Sequence, residues 1–288
     1  MPDSLRVSAP ASSANLGPGF DCLAVALDLR NEVSVQRVGG DGVVVAVSGE
    51  GVRDAPTDPT NLFVRAFAAA GADPAGLRFE MTNRVPFYRG LGSSAAAIAA
   101  GVRAGLAWSG RDADPLPIAV ELEGHPDNVA ASLLGRLILA WTAGARPRAV
   151  SLGSCHVDFV AVVPEDELPT RLAREALPAV VPHQAAAHTA SRAALLVAAI
   201  SSGRLDLLAD ALDDRLHEPY RVPFVPLLEV VRGRLAGLPA YGATISGAGP
   251  SVLVWCERGA GPAVARRLDG VAPRVLAMDV AEEGARVE

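Results

Sequence analysis

Residues Gly90 to Ala97 read GLGSSAAA, and Ile98 to Ser109 continue with small and apolar residues at helical spacing. Two glycines and two serines running straight into a helix suit an anion. The first amides of a helix have no internal partner, and the helix dipole adds partial positive charge there. Gly90 and Gly92 let an anion approach the backbone, while Ser93 and Ser94 add hydroxyls. Phosphate binding is the chemistry on offer, although a helix cap in a tight loop would use the same residues. The octet also matches G-x-G-x-x-A, which expects an acidic residue roughly 20 positions on, after a second strand. Asp112 and Asp114 stand at that distance but follow a helix and WSGR with no strand between, so a dinucleotide site is disfavoured.

Three further stretches concentrate polar groups and turn formers. Pro10 to Asp21 read PASSANLGPGFD, with Asn15 and Asp21 among small residues. Glu121 to Asn128 read ELEGHPDN, placing carboxylates, His125 and Asn128 at a helix end. Ser246 to Ser251 read SGAGPS, a second glycine loop between two apolar runs. Asp21 precedes the apolar run CLAVAL, so its carboxylate needs a partner. Such density of polar loops exceeds what packing requires.

These stretches must be positioned by elements that the apolar pattern marks out. The chain has 288 residues, half of them hydrophobic and 20% charged, ample for a packed core. Leu5 to Ala9, Asn31 to Gln36, Val43 to Ser48 and Leu77 to Thr82 read as strands, and Asn61 to Ala70 as a helix. After the glycine loop and its helix come helices ending at Glu123 and Leu134, then a strand over Arg136 to Trp141. Thr142 to Ser154, glycine-rich and aperiodic, marks a boundary between residues 1–150 and 151–288. Beyond it, strands over His156 to Val163, Tyr241 to Ser246, Ser251 to Cys256 and Arg274 to Asp279 alternate with helices in no strict βαβ order. The expected class is α+β.

Composition narrows the function. The net charge is -6, which argues against nucleic acid or a membrane surface as partner. All 26 basic residues are Arg, so a Walker A loop, a kinase strand Lys, a Schiff base and a Lys-assisted base are excluded. Cys22, Cys155 and Cys256 are scattered and odd in number, which fits a reducing compartment. Met1 to Ser13 lacks the apolar core of a signal peptide, and no uninterrupted apolar run reaches membrane-spanning length; the expectation is a cytoplasmic protein.

Together the four stretches resemble the GHMP family of small-molecule kinases. Its first motif is similar to PASSANLGPGFD, its phosphate loop to P-x-x-x-G-L-G-S-S (Pro86 to Ser94) and its third motif to ISGAGPS (Ile245 to Ser251). The wording SANLGPGFD, with H-x-D-N at His125 to Asn128, resembles the homoserine kinase branch. The resemblance implies a two-domain fold, the first domain like ribosomal protein S5 domain 2 and the second ferredoxin-like. It implies ATP and Mg2+, a homodimer, and phosphorylation of L-homoserine to O-phospho-L-homoserine on the route to threonine.

By the same resemblance, Asn61 meets adenine, and Pro86, Arg89, Gly90, Leu91, Gly92, Ser93, Ser94 and Ala95 surround the phosphates. Ser94 and Glu121 would hold the metal, with Glu123 as the rival. Asn15 and Asn128 would orient the hydroxyl, Asp21 would take the ammonium, and Arg174 and Arg221 the carboxylate of a zwitterion. His125 lines the same pocket, with Arg192 as a further candidate. Tyr88 departs from the family pattern, standing where Gly is expected. Asp127 is the carboxylate nearest the hydroxyl end, but the branch is thought to work without a formal base.

Overall fold

The computed structural model describes residues 2–153 and 155–288; Met1 and Ser154, the last residue of the expected boundary stretch, lie outside the described residues. The chain opens with two long antiparallel strands, β1 (Ser4–Asn15) and β2 (Gly19–Arg37), paired from Ser4↔Gln36 to Asn15↔Gly19. The turn formers in PASSAN therefore lie in a strand. They are small because β1 is covered on both faces and buried without interruption from Val7 to Asn15.

Four more strands extend the first sheet around this hairpin: β3 (Val43–Gly49), β4 (Leu77–Asn83), β5 (Leu137–Ala143) and β6 (Arg146–Ser151). Besides β1, the long β2 carries two neighbours, β5 along Leu23–Val25 and β4 along Glu32–Arg37. Only β3 with β4 is parallel among the described pairings. Helices α1 (Leu62–Ala69), α2 (Ser93–Ser109), α3 (Pro115–Glu123) and α4 (Asp127–Leu134) pack on one face. Their core holds Phe63, Phe67, Phe79 and Trp108, with Phe67 and Phe79 edge to face at 5.3 Å.

The second sheet comprises β7 (Val157–Val163), β8 (Ala240–Ile245), β9 (Val252–Glu257) and β10 (Arg274–Met278), in the order β10-β7-β9-β8. Helices α5 (Thr170–Glu175), α6 (His183–Ser202), α7 (Leu208–Ala211), α8 (Glu218–Arg221) and α9 (Leu227–Arg234) link β7 to β8, and α10 (Gly261–Leu268) links β9 to β10. That strand order, with all pairs antiparallel, is the ferredoxin-like arrangement.

The alternation of β2 explains how the two layers join. Ala24 and Ala26 face the helical core, while Leu23, Val25 and Leu27 enter a core shared with Phe159, Leu253 and Trp255 of the second sheet and with Leu196 and Ala199 of α6. β7 is buried on both faces: Phe159, Ala161 and Val163 face that shared core, and Val160 and Val162 face α9 and α10. Its continuous apolar run FVAVV, Phe159 to Val163, is what a doubly covered strand needs.

Two parts of the sequence-based division shift. The boundary stretch contains a strand, β6, that pairs with β5 from Ala143↔Arg146 to Ile138↔Ser151. It carries Pro147 and two arginines and has no buried face, as an edge strand can, so it leaves no apolar period to read. Residues at the chain's end also return to the first sheet: β11 (Arg286–Val287) pairs with β1, and Ala281 exchanges backbone bonds with Ala26 and Arg136. Residues 151–288 are thus not one contiguous layer.

Candidate active site

A cleft of about 300 Å³ opens between the glycine loop, the first hairpin and the loops of the second sheet. The loop builds its floor. Gly92, at φ 67°, caps α2 without a side-chain bond, leaving the first amides of a 17-residue helix for a ligand. A Cβ on Gly90 would stand 2.2 Å from the Ser246 carbonyl oxygen, and one on Gly92 2.1 Å from Ser12 Oγ. Both glycines are therefore demanded by backbone geometry and by two neighbours at once. Ser12 is in the first motif and Ser246 in the third, so the three glycine-bearing stretches pack directly together. Ser246 Oγ donates to the Gly90 carbonyl at 2.7 Å, and Ser12 N donates to that of Leu91 at 3.1 Å.

Glu123, and not Glu121, stands in this cleft. Glu121 is exposed and outside it, whereas Glu123 Oε1 accepts the Ser94 hydroxyl at 2.7 Å. Residues two apart on a helix point to nearly opposite sides, so α3 can turn only one of them inward. Burial raises the Glu123 carboxyl pKa, with the Ser94 bond and His125 pulling the other way. A poorly solvated carboxylate beside a hydroxyl at a phosphate loop suits a hard cation that also binds phosphate oxygens. Among the described residues no cluster of three or more His, Cys, Asp or Glu could hold a metal alone.

Next to Ser94 and Glu123 lies the H-x-D-N turn. His125 Nδ1 is 3.0 Å from Asp127 Oδ1, which also accepts the Asn128 amide at 2.7 Å. That hydrogen bond raises the pKa of His125 against the opposing effect of burial. Asn128 is oriented from behind. Its Oδ1 accepts Ser12 Oγ at 3.0 Å, which assigns the amide nitrogen as the donor left for the cleft.

The other end of the cleft is dominated by two arginines. Arg174 makes a bidentate pair with Asp21, at 2.8 and 3.0 Å. Asp21 sits at φ 55°, a left-handed conformation, and its amide is held by Asn15 Oδ1 at 3.0 Å. Arg221 is only 2% exposed and has no carboxylate partner among the described residues. It reaches the carbonyls of Ala173 (3.3 Å) and Gly247 (3.2 Å) and His217 Nδ1 (3.2 Å). Arg221 can only donate, so Nδ1 must accept and Nε2–H must donate to the Gly17 carbonyl at 2.7 Å. Burial lowers His217 to about 4, leaving it neutral. Burial and then repulsion from Arg174 lower Arg221 to about 10.

Asn15, Asp21, Asn61, Pro86, Arg89, Gly90, Leu91, Gly92, Ser93, Ser94, His125, Asn128, Arg174 and Arg221 all line the cleft. Ala95 lies buried behind the loop, and Arg192 does not line the cleft, its Nε buried without a partner. Several side chains are already engaged with backbone. Asn15 Nδ2 donates to the Gly247 carbonyl at 2.7 Å, bracing the first motif against the third. Asn61 caps α1 through Phe63 N and ties down Pro56. Arg89 staples the loop to Pro164, Glu165 and Glu167 and also donates to the Phe87 carbonyl. Tyr88 adopts φ 53°, which explains why glycine suits its position.

Sequence reasoning missed the apolar end of the cleft, formed by Val33, Leu62, Phe63, Met81, Ala96 and Ala100. These residues come from four elements, and each reads as ordinary core. Their flat apolar walls beside the phosphate loop suit a nucleotide base.

Comparison with known proteins settles the family. The model for the GHMP kinases N terminal domain matches residues 61–136, and that for the GHMP kinases C terminal matches residues 196–273. A homoserine kinase of Streptomyces avermitilis is 43% identical, with 96% of this chain and 93% of that protein covered. The chain belongs to the GHMP kinases, in their homoserine kinase branch. One from Synechococcus sp. is 38% identical over 96% of this chain and 94% of its own. The crystal structure of homoserine kinase from Cytophaga hutchinsonii superposes with TM-score 0.88 at 28% identity, covering 100% of this chain and 98% of that one.

The packing of the kinase's glycine loop makes a direct prediction. Gly92→Ala forces a left-handed alanine, costing about 1–2 kcal/mol, and displaces Ser12 from Asn128. The expected result is a melting temperature lower by several degrees and at least about tenfold slower ADP release. Wild-type values in both assays would show that the close approach is not required.

Proposed function

We propose that this kinase transfers the γ-phosphoryl group of ATP to the side-chain hydroxyl of L-homoserine, giving O-phospho-L-homoserine and ADP on the way to threonine. The observation that carries the substrate is Arg221: a buried guanidinium in the cleft with only neutral partners is waiting for an anion. Beside it, Asp21 and Arg174 neutralise each other. A zwitterionic amino acid exchanges that pair for a fuller set: its carboxylate meets Arg221 and Arg174, and its ammonium takes Asp21. An uncharged sugar or a simple acid would break the pair and rebuild only part of it.

With the amino acid so held, its hydroxyl end extends toward Asn128, whose free amide donor can fix the attacking oxygen. The new O–P bond forms as the bond between the γ-phosphorus and the bridging oxygen breaks, and the hydroxyl proton passes to an oxygen of the transferred phosphoryl group. Positioning and charge stabilisation dominate such a loose transfer. The helix α2 amides and the hydroxyls of Ser93 and Ser94 receive the phosphates, and the apolar chamber takes the base. Ser94 and Glu123 are the residues that would hold Mg2+, which supplies charge neutralisation on the phosphates when bound. Cytoplasmic location and a homodimeric state belong to this proposal and rest on the family alone; no helix among the described residues is long and apolar enough to cross a membrane.

Three measurements test this. ADP release should be seen with L-homoserine and not with mevalonate, galactose or shikimate. 4-Hydroxybutyrate and 3-amino-1-propanol, each lacking one charge, should lose about 30-fold or more in kcat/KM. Preference for another alcohol would discard the amino-acid site and keep the phosphate loop. Glu123→Gln should raise the Mg2+ concentration needed for half-maximal rate at least about tenfold, while Glu121→Gln leaves it unchanged; the reverse pattern would return the metal to Glu121.

Asp127→Asn should keep kcat within about tenfold, since loss of a general base costs roughly 100-fold or more. It should also lower the His125 titration seen by NMR, because Asp127 is what raises it. A loss of several powers of ten from folded protein would make Asp127 the base.

A further inference from the structure

Phe20 lies against both arginines at the amino-acid end of the cleft. The guanidinium carbons of Arg174 and Arg221 lie 5.9 and 5.3 Å from its ring centroid, within cation–π range. The His217 ring packs against it from a third direction, 5.2 Å between centroids. Neighbouring residues of a regular strand point to opposite faces, yet Phe20 and Asp21 both reach Arg174. The left-handed φ of 55° at Asp21 breaks the alternation and brings ring and carboxylate to the same guanidinium.

Two like charges converge here, and each needs something to hold it. Arg221 has carbonyls and the neutral His217, which is itself anchored on Gly17. Among the described residues Arg174 donates hydrogen bonds only to Asp21, the carboxylate that the substrate ammonium claims under the function proposed above. Once that exchange begins, the negative face of the Phe20 ring is the remaining protein group that steadies Arg174, and it steadies Arg221 at the same time.

We infer that Phe20 is a positioning residue for substrate recognition: its ring is the common platform that spaces Arg174 and Arg221 to receive one carboxylate. It touches the two arginines and not the reacting atoms, so its effect falls on amino-acid affinity and on selection for a carboxylate. This rests on the amino-acid reading of the cleft. A simple filler of the same pocket would make no such distinction.

The test compares Phe20→Leu, which keeps an apolar side chain but removes the ring, with Phe20→Tyr, which keeps the face. Phe20→Leu should raise the KM for L-homoserine about 5- to 30-fold, leave the KM for ATP within about twofold, and leave inhibition by 3-amino-1-propanol, which has no carboxylate, within about twofold. Phe20→Tyr should restore the KM for L-homoserine. Should Phe20→Leu fail to fold by thermal melting, pentafluorophenylalanine at position 20 has nearly the same shape with the ring quadrupole reversed, and should raise the same KM alone. An unchanged KM for L-homoserine, or equal rises for all three ligands, overturns the inference while leaving the kinase reading in place. Absence of L-homoserine turnover by the wild-type protein overturns both.

Discussion

A guanidinium buried to 2% exposure, with no carboxylate partner among the described residues, is the constraint on which this cleft depends. Desolvating a cation without a paired carboxylate is costly, and the fold meets that cost at contact distance with oriented dipoles, while Asp21, Asp214 and Glu218 act on it only at longer range. The Ala173 and Gly247 carbonyls and the neutral face of His217 surround Arg221. His217 stays neutral because burial outweighs the pull of the nearby Asp214, whose carboxylate accepts the amides of Leu216, His217 and Glu218 at the start of α8. The site is thereby prepared for a negative charge that the chain itself does not supply.

The partners of Arg221 come from segments that also hold the phosphate loop. Gly17 belongs to the turn of the first hairpin, Gly247 to the loop after β8 and Ala173 to α5. Asn15 links the hairpin to Gly247, Ser246 holds Gly90, and Arg89 ties the same loop to the segment leading into α5. Small residues are needed wherever these segments meet, which is why the motifs are written in Gly, Ser and Ala. The shared core of Leu23, Phe159 and Trp255 beneath them fixes one sheet against the other. Phosphate and amino-acid ends of the cleft are therefore set by one packing arrangement.

Much of this was legible before the fold was known. The phosphate loop announces itself because unpaired helix amides demand glycines and serines, and most residues singled out by resemblance do line one cleft. What escaped had physical causes. Glu121 and Glu123 differ only in which side of α3 they occupy, and PLPIAVELE has too weak an apolar stripe to orient that helix. β6 has no buried face, and β11 is two residues long. Phe20 looks like core until its arginine neighbours, some 150 and 200 positions away in the chain, are brought to its ring. The backbone bonds of Asn15, Asn61 and Arg89 depend on long-range geometry that no local pattern encodes.

The most direct test of the central claim is a crystal structure with L-homoserine and a non-hydrolysable ATP analogue bound. The account predicts the amino-acid carboxylate within hydrogen-bond distance of both Arg221 and Arg174, with Asp21 transferred from Arg174 to the substrate ammonium. An amino acid bound elsewhere, with the Asp21–Arg174 pair intact and Arg221 still without an anion, would contradict it.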